Sequence, residues 1–444
     1  MKTFDEVTEW VHRMNRFSPN LGLERFSHLL GLLGRPQDGL RFIHVAGTNG
    51  KGSVTAMVAS VLRAAGLRTG MYTSPDLEDL RERVMVDGRK IPVPELLCLA
   101  TAVRKAMEQV TQDGYDTPIQ FEVLTAIGLS HFRDSGCQVV SLEVGLGGRY
   151  DATNVVTPEV SVIVTVALDH TEILGDTTAK IAREKAGIIK RGVPVVTGVR
   201  DAAALEVIRE CAGALNSPLT TVGPRGQAVT WTERSSGLDG QVIDVKGPGY
   251  RYDALRIPLL GRHQQLNAAV AVAALEEARR RGNITYDESA LRAGLERTVW
   301  PGRLELIHRE PLVLLDGAHN PEGAAALVNA LRAIPRERSI CVLGVLGDKR
   351  YSSIVSLIAP ECDEVIATQP ASPRALPPSD LAREIAGSIP VSVEPDPARA
   401  LDIALNRAGP HDLIVCCGSL YLVGPARRHL RERFGIPEYG MAGP

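Results

Sequence analysis

The glycine-rich stretch HVAGTNGKGSVTAM carries residue types that could bind a phosphate group. Its glycines let backbone N–H groups turn toward an anion, Lys51 supplies a cation, and Ser53 can ligate magnesium. The stretch differs from the common pattern G-x-x-x-x-G-K-S/T, because Val45 stands five residues before Gly50 and Gly52 follows the lysine. An apolar strand precedes the loop and a helical stripe follows it. We therefore interpret it as a phosphate-binding loop and not as a plain turn with a surface lysine.

A second candidate is Glu143 in the segment LEVGLGGRYDATN. This glutamate ends an apolar strand, where a carboxylate is costly to bury unless it faces a cation. Magnesium is the natural cation beside a phosphate loop. From the residues alone, an ordinary salt bridge at the strand end is an equally good interpretation.

A third candidate pair lies in LDHTEILGDTTAKIAREKAGIIK, where His170 follows a very apolar strand and Lys185 lies on the next helix. Both residue types can serve a catalytic site. A lone histidine is often structural, however, and a lysine among charged helical neighbours is usually solvated. The residues alone leave these interpretations open.

The elements that must position these residues alternate between strands and helices. Apolar strand segments such as RFIHVAG, CQVVSLEVG, EVSVIVTVAL and VPVVTGV are separated by helical segments, including TAKIAREKAGIIKRG. This alternation predicts a mainly parallel sheet with helices on both faces. Residues 219–260 are rich in turns and short alternating runs, which indicates a β-rich subdomain. The alternation of strands and helices resumes after TVWPG, so we predict one domain at 1–297 and a second at 298–444.

Composition limits the classes of partner. Lysine and arginine total 50 against 52 acidic residues in 444, so there is no global basic field for nucleic acid or an anionic membrane. No apolar run is long enough to span a bilayer, so we expect no membrane partner. Seven cysteines without a C-x-x-C pair favour reduced thiols and a cytoplasmic location.

Nine segments in collinear order resemble one known family. They are GTNGKGS, TSPDLEDLRERV, FEVLTA, LEVGLGGRYDATN, LDHTEILGDTTAKIAREKAGIIK, GRHQQLNA, WPGRLE, DGAHNPEG and CGSLYLVG. Together they strongly resemble the folylpolyglutamate synthase and dihydrofolate synthase family, a branch of the Mur ligases. The match covers residues from about 20 to 430, and G-x-x-G-K-G-S is that family's own form of the loop.

The resemblance implies an α/β fold: a P-loop-containing, mainly parallel sheet domain with a β-rich subdomain, plus a smaller C-terminal Rossmann-like domain. It implies an ATP-dependent ligase that adds L-glutamate to folates and also to dihydropteroate through an acyl phosphate, with ATP and Mg²⁺ as cofactors. The expected partners are these small molecules, and we expect a monomer.

The resemblance also assigns site residues. It implies ATP contacts at Thr48, Asn49, Gly50, Lys51, Gly52, Ser53, Asn267, Arg303 and Asp316, with ATP lying between the domains. It implies metal ligation by Ser53, Ser74, Glu143 and His170, and catalytic roles for Lys51, Glu143, His170 and Lys185, the last as a carbamate. Folate or pteroate contacts would come from Pro19, Asn20, Leu21, Gly22, Gln120, Phe121, Asp151 and Ala152, and glutamate contacts from His319 and Ser419.

One position departs from the family pattern. Members that act on dihydropteroate often carry a histidine after the proline of TSP, where this chain has Asp76.

The sequence pattern leaves two other functions open. One is a Mur-type amide ligase with a different carboxylate acceptor, against which the folate-like segments argue. The other is a non-catalytic nucleotide-binding module, which would be expected to lose some of the four catalytic residues.

Overall fold

A computed structural model describes residues 1–15, 20, 22–387 and 389–440. The folate candidates Pro19 and Leu21 lie outside the described residues. Within the described part, no helix is both long and apolar enough to cross a membrane.

The first domain is built on an eight-stranded sheet. Its strands are β1 (Arg41–Ala46), β2 (Thr69–Tyr72), β3 (Val84–Val86), β4 (Arg89–Lys90), β5 (Val139–Glu143), β6 (Val160–Ile163), β7 (Val195–Thr197) and β8 (Leu219–Thr221). The spatial order is β4-β3-β2-β5-β1-β6-β7-β8, with only β3 and β4 antiparallel to their neighbours. The carboxyl ends of β5, β1 and β6 therefore meet at one edge, which is where such sheets bind ligands.

Ten α-helices in the described part of the chain accompany this sheet. They are α1 (Phe4–Arg13), α2 (Glu24–Leu32), α3 (Lys51–Ala64), α4 (Val93–Gln112), α5 (Gln120–Asp134), α6 (Thr171–Leu174), α7 (Thr178–Lys185), α8 (Ala202–Ala214), α9 (His263–Arg280) and α10 (Glu288–Glu296). One face of β1, through Ile43 and Val45, packs on α3, α9 and α10. Phe42 points to the opposite face, where α1, α2, α4 and α5 cover the sheet. Burial on both faces explains why the strands read as continuous apolar runs.

The predicted β-rich region has two parts. Strand β8 joins the large sheet as its last parallel strand. A separate antiparallel sheet of three strands follows, made of β9 (Thr230–Gly237), β10 (Gly240–Gly247) and β11 (Tyr250–Ile257). Its apolar residues, including Ile243 and Val245, join the same core as α9.

The second domain contains a six-stranded sheet with helices on both faces. Its strands are β12 (Glu305–Arg309), β13 (Leu312–Asp316), β14 (Ser339–Leu343), β15 (Glu364–Ala367), β16 (Val391–Val393) and β17 (Leu413–Cys417). Its helices are α11 (Pro321–Leu331), α12 (Tyr351–Ile358), α13 (Pro378–Ile385), α14 (Pro397–Arg407) and α15 (Leu420–Phe434). The order is β12-β13-β17-β14-β15-β16, and only β12 is antiparallel. The boundary at residues 297 and 298 stays a prediction.

Among the residues that the structure describes, four short 3-10 helices complete the regular structure, at Leu80–Arg83, Ala152–Val155, Ala186–Ile188 and Ala359–Glu361. The mainly parallel α/β architecture with a smaller second α/β domain confirms the predicted fold class. Two predicted elements are shorter than their patterns suggested. The helix expected from TAKIAREKAGIIKRG leaves α-geometry after Lys185 and continues as a 3-10 turn, where Gly187 packs against the Arg149 backbone so closely that a side chain would lie 2.4 Å from it. The strand expected over EVSVIVTVAL ends at Ile163, and the following residues hold the phosphate-binding loop instead.

Buried charges join the two domains behind the cavity described below. Glu78, in the segment after β2, accepts hydrogen bonds from Arg427 and Arg431 of α15, and only 4% of its side chain is exposed. At Gly424 of α15 a side chain would lie 2.0 Å from the Leu77 carbonyl oxygen. This close approach is possible because glycine has no Cβ. Removing one partner of such a buried pair typically costs about 3–5 kcal/mol.

The seven cysteines are all free thiols. Cys98 is exposed, whereas Cys341, Cys362, Cys416 and Cys417 are buried in the second domain. The Cys341 and Cys417 sulfur atoms lie 3.8 Å apart without a bond.

Candidate active site

The phosphate-binding loop connects β1 to α3, as its sequence pattern predicts. Gly50 precedes the helix with φ of 83°, a left-handed conformation that glycine adopts without strain. The residues after β6 fix the loop: Thr48 and Asn49 donate their backbone N–H groups to the carbonyl and hydroxyl oxygens of Thr165, at 2.8 and 3.0 Å. Lys51 Nζ donates to the Thr48 carbonyl at 3.1 Å. The free N–H groups of the first turn of α3 therefore face the site with a fixed orientation.

Two glycines of the loop are required by close neighbours. A side chain at Gly50 would lie 2.4 Å from Asn267 Oδ1, at the start of α9. At Gly52 it would lie 2.4 Å from the indole ring of Trp300. The glycine that distinguishes this loop from the common pattern therefore makes room for a tryptophan from the connection between the domains.

Glu143 ends β5 beside the loop and is 4% exposed. Its Oε2 accepts the Ser74 backbone N–H at 3.0 Å, which places Ser74 next to it. Burial raises the pKa of Glu143 and lowers the pKa of Lys51, and each charge opposes the other's shift. A bound cation near Glu143 would favour its ionised form.

Lys185 ends α7 and reaches back under the phosphate-binding loop. Its Nζ donates to the Gly47 carbonyl at 2.9 Å, and the residue is 4% exposed. Burial, with a further contribution from the Lys51 charge, lowers the pKa of Lys185 to about 7. A substantial fraction of this amine is therefore neutral near pH 7, unlike that of a solvated lysine.

His170 precedes α6 with φ of 50° and belongs to a charged cluster that spans the domains. The neighbouring Asp169 accepts a hydrogen bond from Lys349 Nζ at 2.8 Å, and His319 Nε2 lies 3.8 Å from the same carboxylate. Burial alone would raise the pKa of Asp169, but Lys349 outweighs it and holds the pKa well below its usual range. Burial lowers the pKa of His319 to about 4, so that imidazole is neutral at pH 7.

The second domain supplies the opposite side of the site. Asp316 ends β13, and its two carboxylate oxygens accept the backbone N–H groups of Leu304 and Ala318, each at 2.8 Å. Arg303 points to the same space, and its guanidinium forms no hydrogen bond or ion pair with any residue that the structure describes. A fixed carboxylate and an unpaired guanidinium together suit the hydroxyl and phosphate groups of a nucleotide.

These groups surround one cavity of about 310 Å³ between the domains. Fourteen of the predicted site residues line it: Thr48, Asn49, Gly50, Lys51, Gly52, Ser53, Ser74, Glu143, His170, Lys185, Asn267, Arg303, Asp316 and His319. Ser419 does not line it; this residue is buried and caps α15, while the next residue, Leu420, reaches the cavity.

The folate candidates within the described residues lie outside this cavity. Gln120 Nε2 donates to the Val11 carbonyl at 2.8 Å, and the Phe121 ring packs edge-on against Tyr72. Asp151 Oδ2 accepts the N–H of Leu146, which lines the cavity. Asn20 and Gly22 belong to the segment before α2, and Ala152 is buried. Phe121 packs behind the cavity-lining Gly145, where a side chain would lie 2.5 Å from its ring, and the roles of all these positions stay predictions.

The sequence analysis missed four residues that contribute to the site. They are Asp169, Asn320, Glu322 and Lys349. Asn49 donates to Glu322 Oε2 at 2.6 Å, which links the phosphate-binding loop to α11. Lys349 follows β14, and polar residues after the carboxyl ends of parallel strands are a signal that could have indicated it. Its pairing with Asp169 depends on how the domains pack.

The described residues contain no group of three or more His, Cys, Asp or Glu side chains that could hold a metal ion by themselves. The available donors are the Ser53 and Ser74 hydroxyls, the Glu143 carboxylate and the His170 imidazole, all lining one cavity. Three oxygen donors and one imidazole nitrogen fit a divalent cation that takes its remaining ligands from phosphate and water. The donor set therefore fits a metal that arrives with a nucleotide.

Comparison with known proteins agrees with this architecture. The model of the Mur ligase middle domain matches residues 45–275, and that of the Mur ligase glutamate ligase domain matches residues 302–420. Folylpolyglutamate synthase of Lacticaseibacillus casei is 36% identical over 96% of this chain and 98% of that protein. Dihydrofolate synthase/folylpolyglutamate synthase of Bacillus subtilis is 35% identical over 96% and 99%.

Three solved structures are also similar. Mycobacterium tuberculosis folylpolyglutamate synthase complexed with ADP has a TM-score of 0.88 at 33% identity, covering 96% of this chain and 97% of its own. E. coli FolC in complex with DHPP and ADP has a TM-score of 0.87 at 29% identity, covering 97% and 98%. The bifunctional Yersinia pestis enzyme complexed with AMPPNP and Mn has a TM-score of 0.86 at 29% identity, covering 98% and 99%. The chain therefore belongs to the folylpolyglutamate synthase and dihydrofolate synthase family of the Mur ligases.

Proposed function

We propose that this chain is an ATP-dependent ligase that adds L-glutamate to folates and also to dihydropteroate. The observation that carries the proposal is the single cavity in which the phosphate-binding loop, Glu143, His170 and Lys185 face Arg303 and Asp316. Similar proteins bind ADP or AMPPNP, one of them with manganese, which supports ATP and a divalent cation as ligands of this site.

In the proposed reaction, an oxygen of the folate carboxylate attacks the γ-phosphorus of ATP, and ADP leaves. The product is an acyl phosphate, whose carbonyl carbon is then attacked by the amine of glutamate. Phosphate leaves and the amine loses a proton to solvent. Activation is needed because a carboxylate has no usable leaving group.

The phosphate-binding loop and Lys51 would hold the phosphates during the first step. The N–H groups at the start of α3 stabilise negative charge without reorienting, and Lys51 neutralises charge on the transferring group. Asp316 and Asn267 would contact the nucleoside end, with Arg303 on the phosphates.

We assign magnesium to Ser53, Ser74, Glu143 and His170. When bound, it would supply charge neutralisation for the phosphoryl group. The backbone N–H of Ser74 already holds Glu143 in place at 3.0 Å, so the carboxylate is oriented before any ligand binds.

Lys185 would act as a carbamate. The lone pair of its neutral amine forms an N–C bond with carbon dioxide, and one N–H proton passes to solvent, leaving an anion. A pKa of about 7 supports this assignment, because an ordinary lysine holds almost no neutral amine at neutral pH. The anion would lie under the phosphate-binding loop and help to orient the metal site.

The assignment of His319 to glutamate rests on its place in the cavity. Ser419 is a weaker candidate for glutamate because it is buried under the start of α15.

Both sides of the cavity come from one chain, which supports a monomer, and the unpaired thiols support a cytoplasmic location.

The acceptor range depends on the position of Asp76. Its carboxylate accepts a hydrogen bond from Arg83 Nε at 2.6 Å. Burial would raise the pKa of Asp76, but Arg83 outweighs it and lowers the pKa. The Asp76 side chain is therefore an anion that is ion-paired with Arg83. The Asp76 position is therefore the first place to test for activity on dihydropteroate.

The deciding experiment measures ADP release with glutamate and one acceptor at a time: tetrahydrofolate, dihydropteroate or a UDP-muramoyl acceptor. We expect release with the first two, accompanied by the amide product on chromatography, and release slowed roughly 10²–10³-fold in a matched Lys51→Ala variant. Release with the muramoyl acceptor alone would identify a different Mur-type ligase. Nucleotide binding without release from any acceptor would instead indicate a non-catalytic module.

A further inference from the structure

We infer that residues 436–440, which we call the strap, position the phosphate-binding loop through Trp300. The strap follows α15 of the second domain but returns to the first domain, against the β3 and β4 edge of the large sheet. The inference rests on the proposed binding of ATP in the cavity.

Lys90 of β4 fastens the strap. Its backbone N–H donates to the Gly440 carbonyl at 3.0 Å, so the strap pairs with the edge strand. Its ammonium forms an ion pair with Glu438, with Asp79 3.4 Å away, and only 1% of the Lys90 side chain is exposed. Gly440 has φ of 72°, and a side chain there would lie 2.6 Å from Met85 Cε. The strap is thus held by charge, a backbone hydrogen bond and close packing.

Tyr439 of the strap packs edge-on against Trp300, with ring centroids 6.4 Å apart and planes at 83°. Both rings cover a small apolar cluster that includes Ala56 and Ala59 of α3 and Met85 of β3. The two alanines lie four and seven residues after Gly52, on the same face of the helix. Small side chains along this face let the two rings approach the helix axis.

Trp300 transmits the contact to the phosphate-binding loop. Its indole lies so close to Gly52 that a side chain there would approach Cζ2 to 2.4 Å. The indole N–H is buried without a hydrogen-bond partner among the described residues. Because no hydrogen bond fixes the ring, its position depends on packing against Tyr439 and the helix.

The chemical consequence concerns the first turn of α3. Its N–H groups must point at the phosphates, and a shift of about 1 Å is enough to weaken such contacts strongly. Gly52 gives the backbone extra conformational freedom at this turn, and the Trp300 indole restricts it by packing against Gly52. Tyr439 and Trp300 do not line the cavity, so they are positioning residues that act through the loop.

The experiment compares Tyr439→Ala with Tyr439→Phe, which keeps the ring and removes a hydroxyl that has no partner among the described residues. Calorimetry measures the Kd of a nonhydrolysable ATP analogue and of tetrahydrofolate. We expect Tyr439→Ala to weaken nucleotide binding roughly 3- to 10-fold, the range of one aromatic pair, with folate binding unchanged. Tyr439→Phe should retain wild-type nucleotide affinity.

Truncation supplies an independent pair. A chain lacking residues 437–444 should lose nucleotide affinity at least as much as Tyr439→Ala, whereas one lacking only 441–444 should match the wild type. If the longer truncation does not fold, the Tyr439 pair decides the question. Unchanged nucleotide affinity in Tyr439→Ala, or an equal loss for nucleotide and folate, would overturn the inference. Failure of the wild type to bind any nucleotide would instead overturn the proposed function.

Discussion

The two walls of the cavity are built differently. On the first-domain wall, Glu143 and Lys185 are buried, and burial shifts the pKa of each toward its neutral form. On the second-domain wall, burial likewise raises the pKa of Asp316 and leaves His319 neutral, but Arg303 has no ionic partner among the described residues. The first wall is arranged for chemistry before a ligand arrives, whereas the second has contacts left to make. Removing a charged side chain of the first wall should therefore reduce mainly turnover, and removing the Arg303 side chain of the second should reduce mainly affinity.

The largest effect is expected at the phosphate-binding loop. Lys51→Ala should lower kcat by roughly 10²–10³-fold, the range for losing one charge-stabilising group in a transition state. The melting temperature should stay near that of the wild type, because Lys51 contributes little to the core. Lys180→Ala, an exposed lysine on α7, is the matched control. Normal turnover in Lys51→Ala would place the phosphates elsewhere.

A comparable loss of turnover is expected for Lys185→Ala. In the wild type, the dependence of activity on pH should show that the Lys185 amine must be neutral to form the carbamate. With a pKa of about 7, the Lys185 amine is mainly an ammonium below pH 7 and mainly neutral above it. Only the neutral amine can react with carbon dioxide, so activity should rise through pH 7, and added bicarbonate should raise it most at the acid end. The measurement is initial rate against pH with and without bicarbonate. A bicarbonate response that persists in Lys185→Ala would contradict the carbamate.

On the second wall, Arg303→Ala should raise the KM for ATP by roughly 10- to 100-fold, as expected for a lost charge-assisted hydrogen bond. The change in kcat should be much smaller. Steady-state kinetics with varied ATP separate the two parameters, with Arg309→Ala as a control on an exposed arginine of β12. A fall in kcat at unchanged KM would erase the distinction between the walls.

The smallest effect should come from the contact between the walls. Lys349→Met removes the lysine that pairs with Asp169 and leaves that carboxylate its hydrogen bond from Asn320, so kcat/KM should fall by only about 2- to 5-fold. The physical reason is that the ion pair favours the closed arrangement of the domains. A double-mutant cycle with Asp169→Asn tests this, since the second change should add little once the first is made. Fully additive losses would show that the two residues act separately.

Much of the first wall could be predicted from the sequence because its residues follow strands. Glu143 ends β5, the glycine-rich loop follows β1 and His170 comes after β6. These strands are neighbours and parallel, so their carboxyl ends meet, and residues far apart in sequence come together. The family resemblance added Asn267, Arg303 and Asp316, which also reach the cavity.

The remainder depends on packing between distant segments, which no local pattern encodes. The pairing of Asp169 with Lys349 requires both domains in place, and the contact of Trp300 with Gly52 requires the connection between them to fold onto α3. Ser419 lies near the cavity but does not line it, because its hydroxyl caps α15 and the next residue, Leu420, faces the cavity instead.

The buried thiols of the second domain offer a separate measure of how the molecule comes apart. Cys341, Cys362, Cys416 and Cys417 are inaccessible in the folded state, while Cys98 is exposed. An alkylating reagent will therefore modify Cys98 at once and the other four only during transient opening. Mass spectrometry of each modified peptide then measures how often the second domain opens at each cysteine. Added nucleotide will slow the alkylation of the four buried thiols if nucleotide binding stabilises this domain.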